Sequence, residues 1–417
     1  MNALPRSDAT TAPRRRRVLW LSHFVPYPPK GGCFQRSYNL IKRVAAVHDV
    51  HLIAVKHKSG THPEDEIREA RTELLRHCKS VQILDISAST TAPKLAMRGL
   101  GSVLTWSPLT VTIYRSAELR AQIRALVQRE KIEAAHFDAI SLADYLEDVG
   151  DVPTVMTHHG AESFMIRRRI DNEKNFGRKM FFWLEWHMLR RYEARMCPRF
   201  SMNVVMSKLD QEILEQIAPR AKFTVVSNGV DIDYFAPASG ARRPQSIVFA
   251  GRLDQYSNRH GMLRFMNEAW PAIRRVHPDA VIDVIGSNPP KEIEALAKVD
   301  ANVRVHGFVP DVRPFFANAA VAICPIWDGG GTRIKVLDGL AQGMPLVATS
   351  IGAEGIDVVP ERDLLIADTP EQFAAQISRL FTESGLRQKL ETNGRHLAET
   401  VYSWDSIARR LAALYSP

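Results

Sequence analysis

Residues 321–350 read VAICPIWDGGGTRIKVLDGLAQGMPLVATS, and three patterns in this stretch decide the fold. The apolar run 321–324 predicts a buried strand that ends in a glycine-rich loop. A helix over about 332–341 and a second strand over 346–349 follow the loop. A strand, a helix and another strand in this order are typical of the right-handed βαβ unit of a parallel sheet.

The same alternation of apolar runs and amphipathic stretches extends through the rest of the chain. A polar break at 237–244 divides it into two series. Two serial α/β arrays predict two doubly wound, Rossmann-like domains that face each other across a cleft. The predicted strands lie at 18–21, 50–55, 81–84, 134–136, 153–157, 201–205 and 223–226 before the break, and at 247–250, 281–285, 303–306, 321–324, 346–349 and 364–366 after it.

The length of 417 residues fits two domains of this kind. We expect a disordered basic tail over 1–17 and an acceptor-side domain over 18–228. A donor-binding domain is expected over 229–400. The last segment, 401–417, is expected to be a helix that packs back towards the first domain.

Composition indicates a globular protein of the reducing cytoplasm. No apolar run approaches the ~20 residues that span a bilayer, and the start lacks the apolar core of a signal peptide. The four cysteines are far apart and form no CxxC pair, which argues against a zinc site or a disulfide framework. The net charge of +9 favours anionic partners, but the basic residues form no recognisable nucleic-acid-binding motif.

The loop before the helix of the opening stretch has the features of an anion site. Asp328 is followed by Gly329, Gly330, Gly331 and Thr332. Glycine amides can turn towards an anion without obstruction by a side chain, and the helix dipole adds positive potential there. The threonine can cap the helix. The loop is not a Walker A motif, because no Gly-Lys-Ser/Thr follows at the required spacing.

Three charged side chains come next, at the start of the same helix. Arg333 and Lys335 add two cations beside the loop. Asp338 lies three residues beyond Lys335 and therefore on nearly the same helix face. Phosphate-binding groups next to a hydroxyl acceptor suit a nucleotide diphosphate and its ribose. The competing interpretation is a solvated helix with a glycine-rich entry loop.

This segment resembles the family 4 glycosyltransferases, which are retaining enzymes of GT-B fold. Asp338 falls on the second of the family's two glutamates, the one that typically holds the ribose hydroxyls. The first falls on Gly330, so glycine amides or Asp328 would have to replace its contact with the donor sugar. The wording GGGTRIK at 329–335 resembles a branch associated with exopolysaccharide and PEP-CTERM-linked sugar transferases.

Other landmarks of the resemblance extend over nearly the whole chain after residue 17. The segment 226–231, VSNGVD, is similar to the family's turn at the domain junction. Asp231 and Asp233 look like a metal-binding Asp-x-Asp pair, but we assign them to this turn. Arg252, after the first strand of the second domain, is implied to reach the donor diphosphate; a buried structural arginine is the alternative.

In the first half, the resemblance implies two further site segments. Gly31 and Gly32 belong to a glycine-rich loop after the first strand, which the family places close to the donor diphosphate; a plain tight loop is the alternative. His159 begins a segment that resembles the family's His-Asn-x-Glu-Ser. It would face the cleft near the transferred sugar, with the adjacent His158 as the competing choice.

The resemblance thus implies a retaining, metal-independent, hexosyltransferase-type enzyme that needs no cofactor. Its partners would be a nucleotide-sugar donor and a glycan or lipid-linked acceptor in polysaccharide or glycoconjugate biosynthesis. The alternatives are a nucleotide-sugar epimerase of the same architecture and a catalytically weak nucleotide-sugar-binding protein. A nicotinamide dehydrogenase is disfavoured, since neither half has a Gly-x-Gly-x-x-Gly after its first strand.

Two basic and aromatic stretches bear on localisation. Residues 178–199 and 94–106 both mix arginine or lysine with tryptophan and other apolar side chains. Such segments can lie on an anionic membrane, here the inner face of the cytoplasmic membrane. The alternative for the first stretch, which the sequence favours, is a long helix whose apolar face lies in the core.

Overall fold

The computed structural model describes residues 14–29, 31–56, 64–86, 92–328 and 333–415. Their strands form two separate parallel sheets. Each predicted strand is present, and its bounds shift by one residue at most. Parallel strands covered on both faces read as continuous apolar runs, which is why the sequence located them well.

The first sheet has the order β3-β2-β1-β4-β5-β6-β7. Its strands are β1 Arg17–Ser22, β2 Asp49–Lys56, β3 Ser80–Asp85, β4 Ala134–Phe137, β5 Thr154–Thr157, β6 Met202–Val205 and β7 Phe223–Val225. The helices of this domain are α1 Gly32–Val47, α2 Glu64–Leu75, α3 Ala92–Leu104, α4 Leu109–Thr112, α5 Ala117–Glu130, α6 Glu162–Asn172, α7 Phe176–Met196 and α8 Lys208–Ile217.

The second sheet has the order β10-β9-β8-β11-β12-β13. Its strands are β8 Ser246–Ala250, β9 Val281–Ile285, β10 Val303–Gly307, β11 Val321–Cys324, β12 Leu346–Ala348 and β13 Leu365–Ile366. The helices that follow are α9 Tyr256–Arg264, α10 Trp270–Val276, α11 Lys291–Val299, α12 Arg313–Asn318, α13 Ile334–Ala341, α14 Pro370–Thr382, α15 Ser384–Leu397 and α16 Trp404–Ala413.

In both sheets the strand order reverses between two central neighbours, β1 and β4 in the first and β8 and β11 in the second. Ligands of doubly wound sheets bind at the carboxyl ends of the strands beside such a point. Apolar clusters cover both faces of each sheet and form the cores. The fold therefore directs attention to the loops that follow these four strands.

The chain crosses between the sheets at two adjacent places. Val230 pairs with Ser403, and Trp404 packs so closely on Gly229 that a Cβ there would lie 2.5 Å from the indole ring. Helix α16 then returns to the first domain and packs on α1, contributing Trp404 and Ile407 to the same apolar cluster as β1 and β2. The buried Arg36 of α1 donates 2.6 Å hydrogen bonds to the carbonyls of Val226 and Ser227, just before the first crossing.

The sequence predicted a disordered basic tail over 1–17, but the last residues of this segment are ordered in the structure. Arg17 is the first residue of β1, and its guanidinium lies 3.2 Å from Glu133. Arg14 and Arg15 form ion pairs of 2.8 and 3.0 Å with Glu133 and Asp49. Residues 1–13 lie outside the described part of the chain.

Candidate functional site

The N-termini of two helices meet where the domains face each other. A Cβ built on Gly32, the first residue of α1, would lie 3.3 Å from Cδ1 of Ile334, the first residue of α13. Gly31, which precedes α1, has a φ of +106°, a conformation that favours glycine. Both helix dipoles therefore place positive potential in one cleft. The structure thus brings the predicted Gly31–Gly32 loop next to the helix that carries Arg333, Lys335 and Asp338.

Lys335 lies against the loop that follows β8. Its Nζ donates a 2.6 Å hydrogen bond to Oδ1 of Asn258 on α9 and lies 4.4 Å from the centre of the Phe249 ring. A Cβ on Gly251 would clash with the same nitrogen, so a larger residue there would displace the end of the Lys335 side chain. Burial lowers the pKa of Lys335 to about 8, because the charged form loses hydration.

Asp338 follows Lys335 by one helical turn and is partly buried. Burial raises the pKa of its carboxyl group to about 8, and the positive charge of Lys335 acts in the opposite direction. An ionised carboxylate accepts hydrogen bonds and donates none, which suits it to bind hydroxyl groups. The helix α13 thus carries a lysine and an aspartate one turn apart, as the sequence spacing predicts.

Arg333 is the residue immediately before α13 and is partly buried. Burial lowers the pKa of its guanidinium, while Cys324, Glu354 and Asp328 act to raise it and Arg168 of α6 to lower it. Because Arg168 belongs to the first domain, cations from both domains influence this end of the cleft. The predicted loop residues Gly329, Gly330, Gly331 and Thr332 lie outside the described residues. Asp328 borders that segment.

Arg252 takes a different position from the other predicted cations. Its side chain is 66% exposed and forms a bidentate contact with Asp254, at 3.1 and 2.7 Å. The sequence predicted that Arg252 binds the donor diphosphate. In the structure, its guanidinium instead forms an ion pair with Asp254. Asn258, six residues after Arg252, accepts the hydrogen bond of Lys335.

The opposite wall of the cleft contains His159, which comes after β5. Its Nε2 lies 3.2 Å from Oδ1 of Asp138 and 3.1 Å from the Asp138 carbonyl oxygen. Asp138 follows β4, is 2% exposed and accepts a 2.5 Å hydrogen bond from the Ser37 hydroxyl of α1. Sequence analysis missed this aspartate, although an acid directly after a buried strand was a usable signal.

The competing histidine, His158, points the other way. It is fully buried, and its Nε2 lies 3.1 Å from Oδ1 of Asn203 on β6. Burial lowers its pKa to about 4, so the ring is neutral at physiological pH. The structure therefore brings His159, rather than His158, to the wall of the cleft.

The Asp231 and Asp233 pair forms a turn. Oδ1 of Asp231 accepts hydrogen bonds from the backbone amides of Asp233 and Tyr234, at 3.2 and 2.9 Å. Among the residues that the structure describes, no group of three or more His, Cys, Asp or Glu side chains is arranged to hold a metal ion.

Comparison with known proteins identifies the family. A model described as "Glycosyltransferase Family 4" matches residues 30–234, and one described as "Glycosyl transferases group 1" matches residues 244–383. The chain belongs to the family 4 glycosyltransferases. The two matches meet between β7 and β8, where the first sheet ends and the second begins.

Individual relatives of this glycosyltransferase agree with the assignment. It is 21% identical to a 44.6 kDa protein of the cps region of Klebsiella pneumoniae, over 87% of this chain and 90% of that protein. It is 26% identical to an MMP alpha-(1->4)-mannosyltransferase of Mycolicibacterium hassiacum, over 56% of this chain and 57% of that protein. The matched part is between 44% and 59% of the length of most of the curated relatives.

Solved structures of similar fold confirm the predicted GT-B architecture. HepE of Anabaena, solved in complex with UDP, superposes with a TM-score of 0.65 at 15% identity, over 96% of this chain and 99% of HepE. Because the identity is this low, the likeness concerns the fold. The family 4 glycosyltransferase described here therefore has two Rossmann-like domains in the GT-B arrangement.

Proposed function

We propose that this family 4 glycosyltransferase moves a sugar from a nucleotide-sugar donor to a glycan or lipid-linked acceptor, with retention of anomeric configuration and without a metal ion. The observation that carries the proposal is the arrangement on α13. Lys335 lies beside Gly251 and Asn258, which follow β8, Asp338 follows it by one turn of α13, and Arg333 precedes both. A cation for a diphosphate beside an acceptor for ribose hydroxyls matches the chemistry of a nucleotide sugar.

In this proposal, the second domain binds the donor and the first domain faces the transferred sugar. Asp338 accepts hydrogen bonds from the ribose, while Lys335 and Arg333 neutralise the diphosphate. Negative charge on the leaving nucleotide grows as the bond between sugar and phosphate breaks, so cations fixed beside it lower the barrier. Closure of the two domains would exclude water and limit hydrolysis of the donor.

The binding of UDP by HepE supports a nucleotide-sugar donor for this chain as well. The relatives include a protein of a cps region and a mannosyltransferase, which supports a role in glycan or glycoconjugate synthesis. The acceptor proton is proposed to pass to a donor phosphate oxygen, as the family resemblance implies, so a separate protein base is not required. No helix within the described residues is long and apolar enough to cross a membrane.

We also propose that the first domain touches an anionic membrane where a lipid-linked acceptor would lie. The C-terminal half of α7 packs in the core through Met188 and Leu189, but its N-terminal half does not. There, Phe176 is 77% exposed and Trp183 is 44% exposed. We name this the α6–α7 surface; its exposed members are Met165, Arg167, Arg169, Phe176, Arg178, Lys179, Met180, Phe181 and Trp183.

A second exposed apolar group lies on and after α3 in the same domain. Met97 and Leu104 are 74% and 77% exposed, and Trp106 is also exposed. Exposed apolar side chains interleaved with arginine and lysine fit the interface of an anionic bilayer. The sequence favoured a core position for the apolar face of α7, which holds only for its C-terminal half.

A donor screen tests the transferase proposal directly. The purified chain is incubated with UDP-, GDP-, ADP- and dTDP-sugars, with and without lipid-linked sugar acceptors, and nucleotide release and glycoside formation are both measured. We expect release that depends on acceptor and produces a glycoside. Acceptor-independent formation of free sugar and nucleotide would instead indicate an epimerase or hydrolase, and binding without turnover would indicate a nucleotide-sugar-binding protein.

A further inference from the structure

The first-domain wall of the cleft contains a buried ion pair, Asp138 and His159, that also influences neighbouring titratable groups. Asp138 is 2% exposed, and its carboxylate faces Nε2 of His159 at 3.2 Å. The Ser37 hydroxyl donates to its second oxygen at 2.5 Å. A carboxylate withdrawn from water in this way needs a compensating positive charge, because an unpaired buried charge is strongly unfavourable.

Several groups around the pair could carry that charge, and the geometry distinguishes them. Nδ1 of His23 lies 2.9 Å from the Asp138 carbonyl oxygen, so it donates to the backbone and not to the carboxylate. The rings of His23 and His159 are 5.6 Å apart, a distance at which two imidazolium charges repel. Arg36 on α1 also faces Asp138, but its guanidinium donates to the carbonyls of Val226 and Ser227. The other facing groups are Cys33 on α1, His136 on β4, His158 beside His159, Glu162 on α6 and Tyr415 after α16.

We propose that Asp138 is a positioning residue that holds His159 as an imidazolium, so that His159 acts at the cleft as a hydrogen-bond donor and not as a proton acceptor. The inference rests on the proposed function for its catalytic meaning. The two nitrogens of the ring are then assigned. Nε2 donates to Asp138, and Nδ1 is the remaining N–H donor of the imidazolium.

The titration behaviour of the neighbours agrees with this assignment. Burial alone would lower the pKa of His159, but the charge of Asp138 and the hydrogen bond to it raise that pKa to about 10. Burial and the charge of His159 lower the pKa of His23 to about 4, so His23 is neutral. Burial would raise the pKa of the Cys33 thiol, but its hydrogen bond to His159 and the charge of that ring bring it below the ordinary value.

The Cys33 thiol therefore reports the charge state of His159 without any substrate. Of the four cysteines, Cys33 is exposed and the other three are buried, so an alkylating reagent added to the native protein selects it. The thiolate is the reacting form, which makes the alkylation rate a measure of its pKa. Loss of an opposite charge at this distance shifts a pKa by about 1–3 units.

The experiment measures iodoacetamide alkylation of Cys33 against pH in the wild-type chain and in Asp138→Asn. We expect the midpoint of the rate profile to rise in Asp138→Asn, because the neutral amide no longer holds the charge on His159. The direct repulsion between Asp138 and the thiolate is lost as well, so the rise should be smaller than the about 1–3 units that loss of the His159 charge alone would give. Ser37→Ala removes a hydrogen bond to the same carboxylate but keeps its charge, and is expected to retain the wild-type profile. An unchanged midpoint in a folded Asp138→Asn variant overturns the proposal.

A matched control distinguishes an effect of the His159 charge on Cys33 from an effect of reduced domain stability. Asp148 is a second buried carboxylate of this domain, and it pairs with Arg120 and Arg124 at 2.7 and 2.6 Å. Asp148→Asn is expected to lower stability and leave the Cys33 profile in place. A shift of the same size in both variants would mean that loosening of the domain, and not the charge of His159, governs the thiol.

Turnover provides the second readout once a donor is known. In the wild-type chain His159 stays charged across pH 6–8, because its pKa lies well above that range. In Asp138→Asn we expect turnover to fall as the pH rises through about 6–7, the region where an unassisted imidazole loses its proton. The Michaelis constant for donor is expected to change less. If the thiol profile shifts but turnover does not, the charge exists without a role in transfer, and this proposal is overturned while the transferase assignment stands.

Discussion

The ammonium group of Lys335 donates a 2.6 Å hydrogen bond to Oδ1 of Asn258, which joins the start of α13 to α9. The side-chain amide of Asn258 in turn donates a 2.7 Å hydrogen bond to the carbonyl of Arg252 in the loop after β8. The cation is therefore fixed against two segments before any donor arrives. A charge that does not have to reorganise during the reaction is the arrangement that stabilises a developing anion most effectively.

The first prediction concerns the two cations at the start of α13 and their effect on turnover. Lys335→Ala and Arg333→Ala should reduce turnover by about 10²-fold or more, because they remove charge that matters most when the nucleotide leaves. The Michaelis constant for donor should move less. Steady-state kinetics of both variants, with circular dichroism to confirm folding, make the comparison.

A control for this prediction lies on α9. Arg259 of α9 is 52% exposed in its side chain and pairs with Glu292 at 3.5 Å, so Arg259→Ala removes a nearby charge outside the site and should keep near-normal turnover. If Lys335→Ala and Arg333→Ala only raise the Michaelis constant, these cations merely bind donor. The leaving-group role would then pass to Arg252 or to the glycine amides.

The second prediction concerns Asp338 and donor affinity. Asp338→Ala should weaken binding of the nucleotide sugar by about 1–3 kcal/mol, the range for a hydrogen bond to a charged group. Ribose contacts are similar in the ground and transition states, so turnover should change less than affinity. Isothermal titration calorimetry of the folded variant decides the matter. Equal affinity in wild type and Asp338→Ala would refute the ribose assignment.

A third prediction follows from the lowered pKa of Lys335. Near pH 8 a fraction of the ammonium groups is deprotonated, because burial lowers the pKa to about 8. A bound diphosphate favours the charged form, so Lys335 should take up protons from the buffer on binding at pH 8 and add an uptake component to the net proton change. Calorimetry with nucleoside diphosphate in two buffers of different ionisation enthalpy measures this uptake.

Two variants test which group takes up those protons. Lys335→Met should abolish the uptake. Burial raises the pKa of Asp338 to about 8, and ribose hydroxyls favour its ionised form, so that group should release protons on binding. Asp338→Asn should therefore increase the net uptake. Uptake that persists in Lys335→Met would show that another group titrates.

The sequence predicted the strands and α13 more accurately than the surroundings of the site. Buried parallel strands give continuous apolar runs, and a glycine loop before a charged helix is a local pattern. The Asp138–His159 pair joins residues 21 positions apart, on two strand ends that become neighbours only through the sheet order β4-β5. The pairing of Arg252 with Asp254 was equally hidden, because sequence spacing does not show which acid a surface arginine will contact.

The exposed N-terminal half of α7 was hard to recognise for a related reason. Its apolar and basic residues alternate around the whole helix, and the favoured interpretation placed the apolar side in the core. In the structure, α6 and α7 pack on each other, and the start of α7 extends beyond the core. Phe176 and Trp183 therefore stay exposed, although nothing in their spacing distinguishes them from Met188.

A fourth prediction concerns metal ions. If Arg333 and Lys335 neutralise the diphosphate, activity should survive incubation with excess EDTA. Asp231 and Asp233 belong to a turn, in which Asp231 accepts hydrogen bonds from two backbone amides. Product formation with and without EDTA, followed by addition of manganese or magnesium, is the measurement. Complete loss in EDTA with rescue by either metal would refute the metal-independent mechanism and return attention to the two aspartates.

The last prediction tests the α6–α7 surface as a membrane contact. Flotation with liposomes should require anionic lipid and should decrease with salt, because each exposed arginine or lysine contributes about 1 kcal/mol of attraction that salt screens. The double variant Phe176→Ser and Trp183→Ser should reduce flotation, since both side chains are exposed and apolar. Phe308→Ser changes a phenylalanine that is 78% exposed in the second domain and serves as the matched control. Equal flotation on neutral and anionic liposomes, or equal losses in the two sets of variants, would show that this surface does not bind anionic lipid specifically.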